Sequence, residues 1–588
     1  MSKMVRSEFP RPQLTRSADS WVNLNGEWDF EFDHGCSGKD RKMFSGNAVY
    51  SNKIIVPFCP ESRFSGVEYK DFMRCVWYRR RCALPEGWNT DTGRVLLHFG
   101  AVDYFAEVWV NDTYAGSHRG GYSSWQLDVT EALGGQREFR LTVRAEDDVR
   151  SPIQPSGKQH GRYYSEGCMY TRTTGIWQTV WLEYVPKYYI RHLFLTPDVK
   201  NEKLSVRVRP ERYVAPDSVV TAVVRDGEKE IASVSAKAGW GETEIIVPVK
   251  DPKLWEPGAP FLYDLDVKLS APGEMPDTVH SYFGMRSVEV TPRCILINGK
   301  PVFQRLVLDQ GFYPDGVYTA PSDEELKADI ERSMRHGFNG ARLHQKVFEQ
   351  RFLYWADRLG YLCWEEHANW GFDVKNPAFF TSFMNEWCEV VERDYSSPAI
   401  IGWCPFNETE KGDDTLGSIY RLTKRLDPSR PVIDTSGWFH NIQPDGRAGT
   451  DVWDFHDYEQ DPAKMAEKLR PYSEGVTPPH SPVTDARAWV KDTPYFCSEF
   501  GGTWWAQKDA TGWGYGATPE EIEEFYRRFE GLTAVMLGDP DMCAFCYTQL
   551  TDVEFELNGI YTYERRPKFD ADRIRAAVTR KAKIEENN

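Results

Sequence analysis

The hydrophobic pattern divides the chain into three parts. From 94 to 111 apolar and polar residues alternate, and 138–144 repeats that two-residue period, the mark of half-buried strands. Short strands punctuated by Gly, Pro, Asn and Asp continue to about Glu183. A second β-rich stretch has strands at 204–208, 219–225, 244–249 and 262–269. It runs for roughly 100 residues with turns about every 8–12, the size of a small two-sheet sandwich. Past residue 300 the period changes. Ser322 to Glu325 reads as a capping box, Leu326, Ile330 and Met334 follow at helical spacing, and Gly337 stops the helix. Phe348, Phe352, Trp355 and Leu359 mark another helix closed by Gly360. Short apolar strands at 302–308, 339–344, 361–366, 399–405, 432–436, 451–458, 494–500 and 542–549 make eight. Eight βα units over roughly 250–300 residues predict a (β/α)8 TIM barrel, with its chemistry at the strand C-termini. The expected domains are 1–186, 187–288 and 289–588.

Composition narrows the partners. Lys and Arg number 71 against 88 Asp and Glu, a net charge of −17, and no dense basic run offers a face for nucleic acid or an anionic membrane. No apolar stretch approaches the roughly 18 residues of a span. The opening residues lack the apolar core of an export signal. The twelve cysteines are scattered, so reduced, mostly buried thiols and a cytoplasmic location are expected. Cys543 and Cys546 form a lone C-x-x-C inside an apolar run, which suits neither a zinc site nor a redox motif. Aromatics are plentiful, with 21 Trp, 29 Tyr and 32 Phe.

Polar groups at barrel strand ends are the candidates for chemistry. Glu408 follows the fourth predicted strand, Glu499 ends the seventh, and Glu365 and Glu366 close the third. Glu408 and Glu499 are 91 residues apart, about three βα units of roughly 30–35 residues, so both belong on one rim, facing across the mouth. Two such carboxylates suit glycoside hydrolysis, one as proton donor and one as nucleophile, about 5–5.5 Å apart for retention. A metal-dependent hydrolase would need clustered ligands. His344, His367 and His456 occur singly, without metal-ligand spacing, so no metal or cofactor is expected.

Several motifs, in order, resemble glycoside hydrolase family 2, the group of β-galactosidases, β-glucuronidases and β-mannosidases. They are WVNLNGEW at 21–28, GIWQTVWLE at 175–183, FGMR at 283–286, NGKPV at 298–302 and RDYSSPAIIGWCPFNE at 393–408. The resemblance spans nearly the whole chain. It implies a sugar-binding jelly-roll domain, an immunoglobulin-like sandwich and a catalytic TIM barrel. It further implies that Glu408 is the acid/base, Glu499 the nucleophile of a retaining exo-β-glycosidase, and Asn407 a ligand of the sugar 2-hydroxyl. Asp457-Tyr458 falls where the family places a tyrosine near the nucleophile, and Glu366 matches an acidic position after the third strand. Relatives assemble as dimers or tetramers, so a homo-oligomer is expected. A decayed, non-catalytic carbohydrate-binding protein is the alternative from another class, but both glutamates are retained.

Departures from the family pattern bear on the substrate. Gln345 stands at the usual histidine position after the second strand, and alternation along a strand separates it from His344. Asp309 and Gln310 replace a histidine after the first strand, and Tyr547 replaces the tryptophan of the eighth. The family's β-glucuronidases hold the uronate with an Asn-x-Lys late in the barrel. Here Asn201-Glu202-Lys203 and Asn298-Gly299-Lys300 match that pattern but lie far upstream. Arg342 and Lys346 offer a different clamp, although Arg342 suits bracing of a catalytic carboxylate better. A neutral β-galactoside is therefore the first expectation and a β-hexuronide, galacturonide or glucuronide, the second. His456, Trp504 and Tyr547 are further candidates for the sugar, with Trp370, Trp505 and Trp513 also at strand ends. Trp403, inside a strand, reads as core. Tyr170 and Arg172 lie in a first-domain loop that would reach towards the cleft.

Overall fold

The alternating run at 94–111 splits between two sheets rather than forming one long strand. In the computed structural model, which describes residues 5–409, 415–442, 448–473, 489–490, 492–506 and 511–586, Gly93–Phe99 lies in a four-stranded sheet and Phe105–Val110 in a six-stranded one. The inward residues of both, Val95, Leu97, Phe99, Ala106, Val108 and Val110, meet in one core. All pairings in the two sheets are antiparallel, giving the jelly roll.

The second unit packs a three-stranded sheet (Ile190–Asp198, Lys203–Pro210, Thr243–Pro248) on a four-stranded one (Lys229–Lys237, Val219–Asp226, Tyr263–Ser270, Asp277–Phe283). In Thr243–Pro248 burial alternates strictly, the period-2 signature of a strand with one wet face.

In the barrel seven strands form one parallel sheet. In chain order they are Gln304–Asp309, Gly340–Leu343, Leu362–Glu366, Ile400–Cys404, Trp453–Asp457, Tyr495–Gly501 and Met542–Thr548. The first pairs with the last, as closure requires. The missing fifth stave is 431–436, bridged to the fourth strand's line at Trp403↔Val432 and Asn407↔Ser436. On its other edge side chains take ladder bonds. The Asp451 carboxylate accepts from Val432 N at 2.9 Å, and Asp454 accepts from Gly437 N at 3.1 Å. That substitution leaves the fifth stave irregular. The helix of the first βα unit, Asp323–Arg335, begins as expected, with Ser322 Oγ accepting from Glu325 N at 3.2 Å. The capping box is half made, because the Glu325 carboxylate goes to Arg332 instead. Gly360, in the left-handed region at φ 69°, closes Gln350–Leu359.

The jelly roll docks directly on the barrel mouth. Ser156 N donates to Trp370 O at 2.7 Å, and Tyr122 N donates to Glu386 Oε1 at 2.6 Å. Gly157 has φ 54°, and a Cβ there would overlap the carbonyl oxygen of Gln345. Only glycine fits on both counts. No described helix is long and apolar enough to cross a membrane.

Candidate functional site

Glu408 lies four residues past the fully buried strand Ile400–Cys404. Two backbone bonds anchor the turn: Ser436 N donates to Phe406 O and Glu408 N to Ser436 O, both at 2.8 Å. The irregular fifth stave therefore sets the position of Glu408, whose φ of 45° is in the left-handed region. A non-glycine residue there costs of order 1–3 kcal/mol and persists only where surroundings fix it. The neighbouring Asn407 gives its amide N–H to Asn369 Oδ1 at 2.8 Å. Asn407 Nδ2 is buried and has no partner among the described residues.

Glu499 lies two residues before the end of the buried strand Tyr495–Gly501. Its Oε2 accepts from the Tyr458 hydroxyl, and its Oε1 lies 3.2 Å from Arg342 Nη1 and 3.4 Å from His456 Nε2. His456 Nδ1 is 2.7 Å from Glu408 Oε1. One carboxylate oxygen of each glutamate and a nitrogen of His456 lie within 4.8 Å of one another. The set is compact enough to hold a cation, and two carboxylates this close also fit the pair of a retaining glycosidase.

Arg342, 1% exposed, organises the barrel interior. It donates to Glu366 Oε1 at 2.6 Å, Ser498 O at 2.7 Å, Asn407 Oδ1 at 3.0 Å and Glu499. This is the bracing role, not a free clamp. Replacing Arg342 by Met strands two buried carboxylates. Stability should fall by about 3–5 kcal/mol, read from urea unfolding, with activity lost beyond about 100-fold. Wild-type stability in the variant would contradict the bracing.

Third-strand neighbours separate as alternation demands. Glu366 turns inward to Arg342, and Glu365 faces Arg393, 3.7 Å away. Burial raises the Glu366 carboxyl, but Arg342 and His344 outweigh it and hold it below the usual value. His344 and Gln345 do not separate. His344 Nδ1 lies 2.9 Å from Glu366 Oε2, and Gln345 Nε2 donates at 2.6 Å to Asn369 Oδ1, the atom that also accepts from Asn407 N. The strand ends at Leu343, and Gln345 at φ 50° breaks the alternation.

Other expected residues are placed less centrally. Lys346 gives its ammonium to the carbonyls of Gly311 and Tyr318 (2.8 Å to the latter), and burial pushes it down to about 7. Asp309 accepts from Gly311 N at 2.9 Å. Tyr547 is buried on the last strand against Phe500 and Phe529, its hydroxyl without a described partner. Trp504 and Trp505 are half-buried in the loop after Glu499. Trp403 is core, its Nε1 bonded to Asp427 Oδ2 at 2.8 Å. Arg172 is spent on carbonyls, including His160 O at 3.3 Å.

Three residues were not anticipated. Glu556 accepts from Tyr170 OH and from Asn558 Nδ2 (3.0 Å), and burial raises its carboxyl above the usual value. Tyr515 stacks on Tyr458, ring centroids 3.3 Å apart. Lys158, from the docked jelly-roll loop, is 6% exposed with its ammonium 4.2 Å from the Trp370 ring centroid. Trp370 in turn donates Nε1–H to Asn407 O at 3.2 Å. Tyr170 was placed near the cleft by its loop, and it reaches Glu556 and Gln310 Nε2, 3.0 Å from the latter.

A jelly roll, a sandwich and a barrel carrying two facing glutamates at its rim define a multidomain glycoside hydrolase. Three models of one family match in sequence: "Glycosyl hydrolases family 2, sugar binding domain" over 22–186, "Glycosyl hydrolases family 2" over 188–286, and the family's "TIM barrel domain" over 288–444. The chain belongs to glycoside hydrolase family 2, as its motifs implied. It is 27% identical over 466 residues to a β-glucuronidase of Sus scrofa, covering 72% of this chain and 69% of that protein. A β-galactosidase of Thermoanaerobacter pseudethanolicus is 25% identical over 420 residues, covering 70% and 53%. The fold is also that of a Ruminococcus gnavus β-glucuronidase solved with D-glucuronic acid. That match has a TM-score of 0.78 at 18% identity and covers 98% of this chain and 100% of the other.

Proposed function

We propose that the protein is a retaining exo-β-hexuronidase, acting on terminal β-linked glucuronic- or galacturonic-acid residues. The observation that carries the chemistry is that one carboxylate oxygen of Glu408 and one of Glu499 lie within 4.8 Å of each other, which supports the close pair of a retaining rather than an inverting mechanism. The preference for a uronide over the neutral hexose first expected is supported by the β-glucuronidases among the relatives.

Glu499 attacks the anomeric carbon as the Glu408 carboxyl protonates the departing oxygen. Glu408, then anionic, takes a proton from water, which attacks the glycosyl-enzyme ester and releases Glu499. Tyr458 and Arg342 hold the Glu499 oxygens in line. Asn407 Nδ2 has an unspent donor for the 2-hydroxyl. Burial raises the Glu408 carboxyl, but the His456 hydrogen bond and charge outweigh it and hold it at about 2.

The test is kcat/KM on nitrophenyl β-glucuronide, β-galacturonide, β-glucoside and β-galactoside. A uronide should be preferred by about 100-fold or more, the scale of a paired buried charge. Rapid cleavage of the galactoside with none of either uronide overturns the substrate reading.

A further inference from the structure

Among the positive side chains around the two glutamates, Arg342 is consumed by Glu366, Glu499 and Asn407, and Lys346 by carbonyl oxygens. Lys158 differs. The residue is 6% exposed, and its ammonium shows no hydrogen bond or ion pair among the described residues. It rests on the Trp370 ring, and the carboxylates whose charge reaches it are Glu556, Glu499 and Glu408. Burial opposes its charge, and those groups hold it above the ordinary lysine value, so it is a cation. A buried cation without a partner is costly, and retaining one beside a sugar cleft points to a ligand that completes the pair.

The position is fixed rather than incidental. Ser156 N and Gly157 N both donate to Trp370 O, at 2.7 and 3.1 Å, and Tyr170 N donates to Lys158 O at 2.7 Å. The close approach of Gly157 to Gln345 presses this loop onto the barrel rim. Lys158 is therefore held by backbone bonds on both sides, with its ammonium over the Trp370 ring, whose Nε1–H donates to the carbonyl of Asn407 beside Glu408. Facing carboxylates would each repel an acidic sugar, and an ammonium within this group offsets that repulsion.

We propose that Lys158, contributed by the jelly-roll domain, is the residue that binds the C5 carboxylate of the sugar and makes the site selective for uronides. The proposal rests on the hexuronidase reading above. It assigns to the first domain the role that Arg342 and Lys346, on the barrel, cannot fill.

The experiment measures kcat/KM of wild type, Lys158→Met and Lys158→Arg on each uronide and its neutral hexoside, with thermal melting of all three proteins. The uronide-to-hexoside ratio should collapse by about 100-fold or more in Lys158→Met and survive within about tenfold in Lys158→Arg. If Lys158→Met melts early, the same ratio is read from Kd values of D-glucuronic acid and D-glucose for Lys158→Gln by calorimetry. A fall shared equally by uronide and hexoside would mean that Lys158 only balances the carboxylates, and overturns the assignment. Wild type that cleaves the hexoside and neither uronide overturns the hexuronidase reading and this proposal together. Wild type selective for a uronide with a ratio unmoved in Lys158→Met overturns this proposal alone.

Discussion

Glu499→Gln should lose about 10⁴-fold or more in kcat on every glycoside, whatever the leaving group. The amide keeps the size of the carboxylate and can still accept from Tyr458, so the fold has little reason to change. What disappears is the anion that forms the ester and that pairs with Arg342 at 3.2 Å. Both steps of the double displacement pass through that oxygen, and an activated leaving group cannot substitute for it. Mass spectrometry after incubation with a 2-deoxy-2-fluoro glycoside supplies a second reading. Wild type should carry a glycosyl adduct on the peptide containing Glu499, and the variant none. Near-normal turnover by Glu499→Gln would end the assignment.

Glu408→Gln should behave differently because its loss is felt in proportion to how much the leaving group needs a proton. For alkyl or nitrophenyl glycosides the fall is about 10²–10⁴-fold. For a dinitrophenyl glycoside the first step should be nearly spared, the second becoming limiting and restored by azide. A uniform loss across leaving groups would remove Glu408 from the proton-transfer role. The variant should also differ in acid stability. Glu408 titrates near 2 in the fold against an ordinary 4.5, so its anion stabilises the native state above about 4.5. That contribution fades as pH falls from there towards 2. Wild type and variant should therefore converge in stability at the acid end and separate above it.

The staves of the barrel were readable because each is a short apolar run bounded by turn residues. Even the irregular 432–436 segment shows in the sequence, since irregularity lies in its bonds and not in its hydrophobicity. Spacing alone placed Glu408 and Glu499 on one rim. The inward turn of His344 was not readable, because alternation fails where Gln345 takes a positive φ, a property that depends on Glu366 and Asn369 gripping it. Lys158 and Glu556 were missed for a related reason. Each lies outside the barrel strands, in a segment with no period, and joins the cleft only through contacts hundreds of residues distant in sequence. The nearest signal was the first-domain loop containing Tyr170. Arg342 was legible as a brace, since a charge inside a barrel must be paired.

The seating of Gly157 against Gln345 makes the cleft a joint between two separately cored units. The barrel by itself would display both glutamates but lack one wall. On the assignment proposed for Lys158, the instrument that breaks the bond and the surface that chooses the sugar are inherited on different folding units, and their relative orientation is itself part of the catalyst. Drift in the jelly-roll loop can retune what enters while the glutamates stay untouched, and a slip of that joint silences the enzyme with every catalytic residue in place.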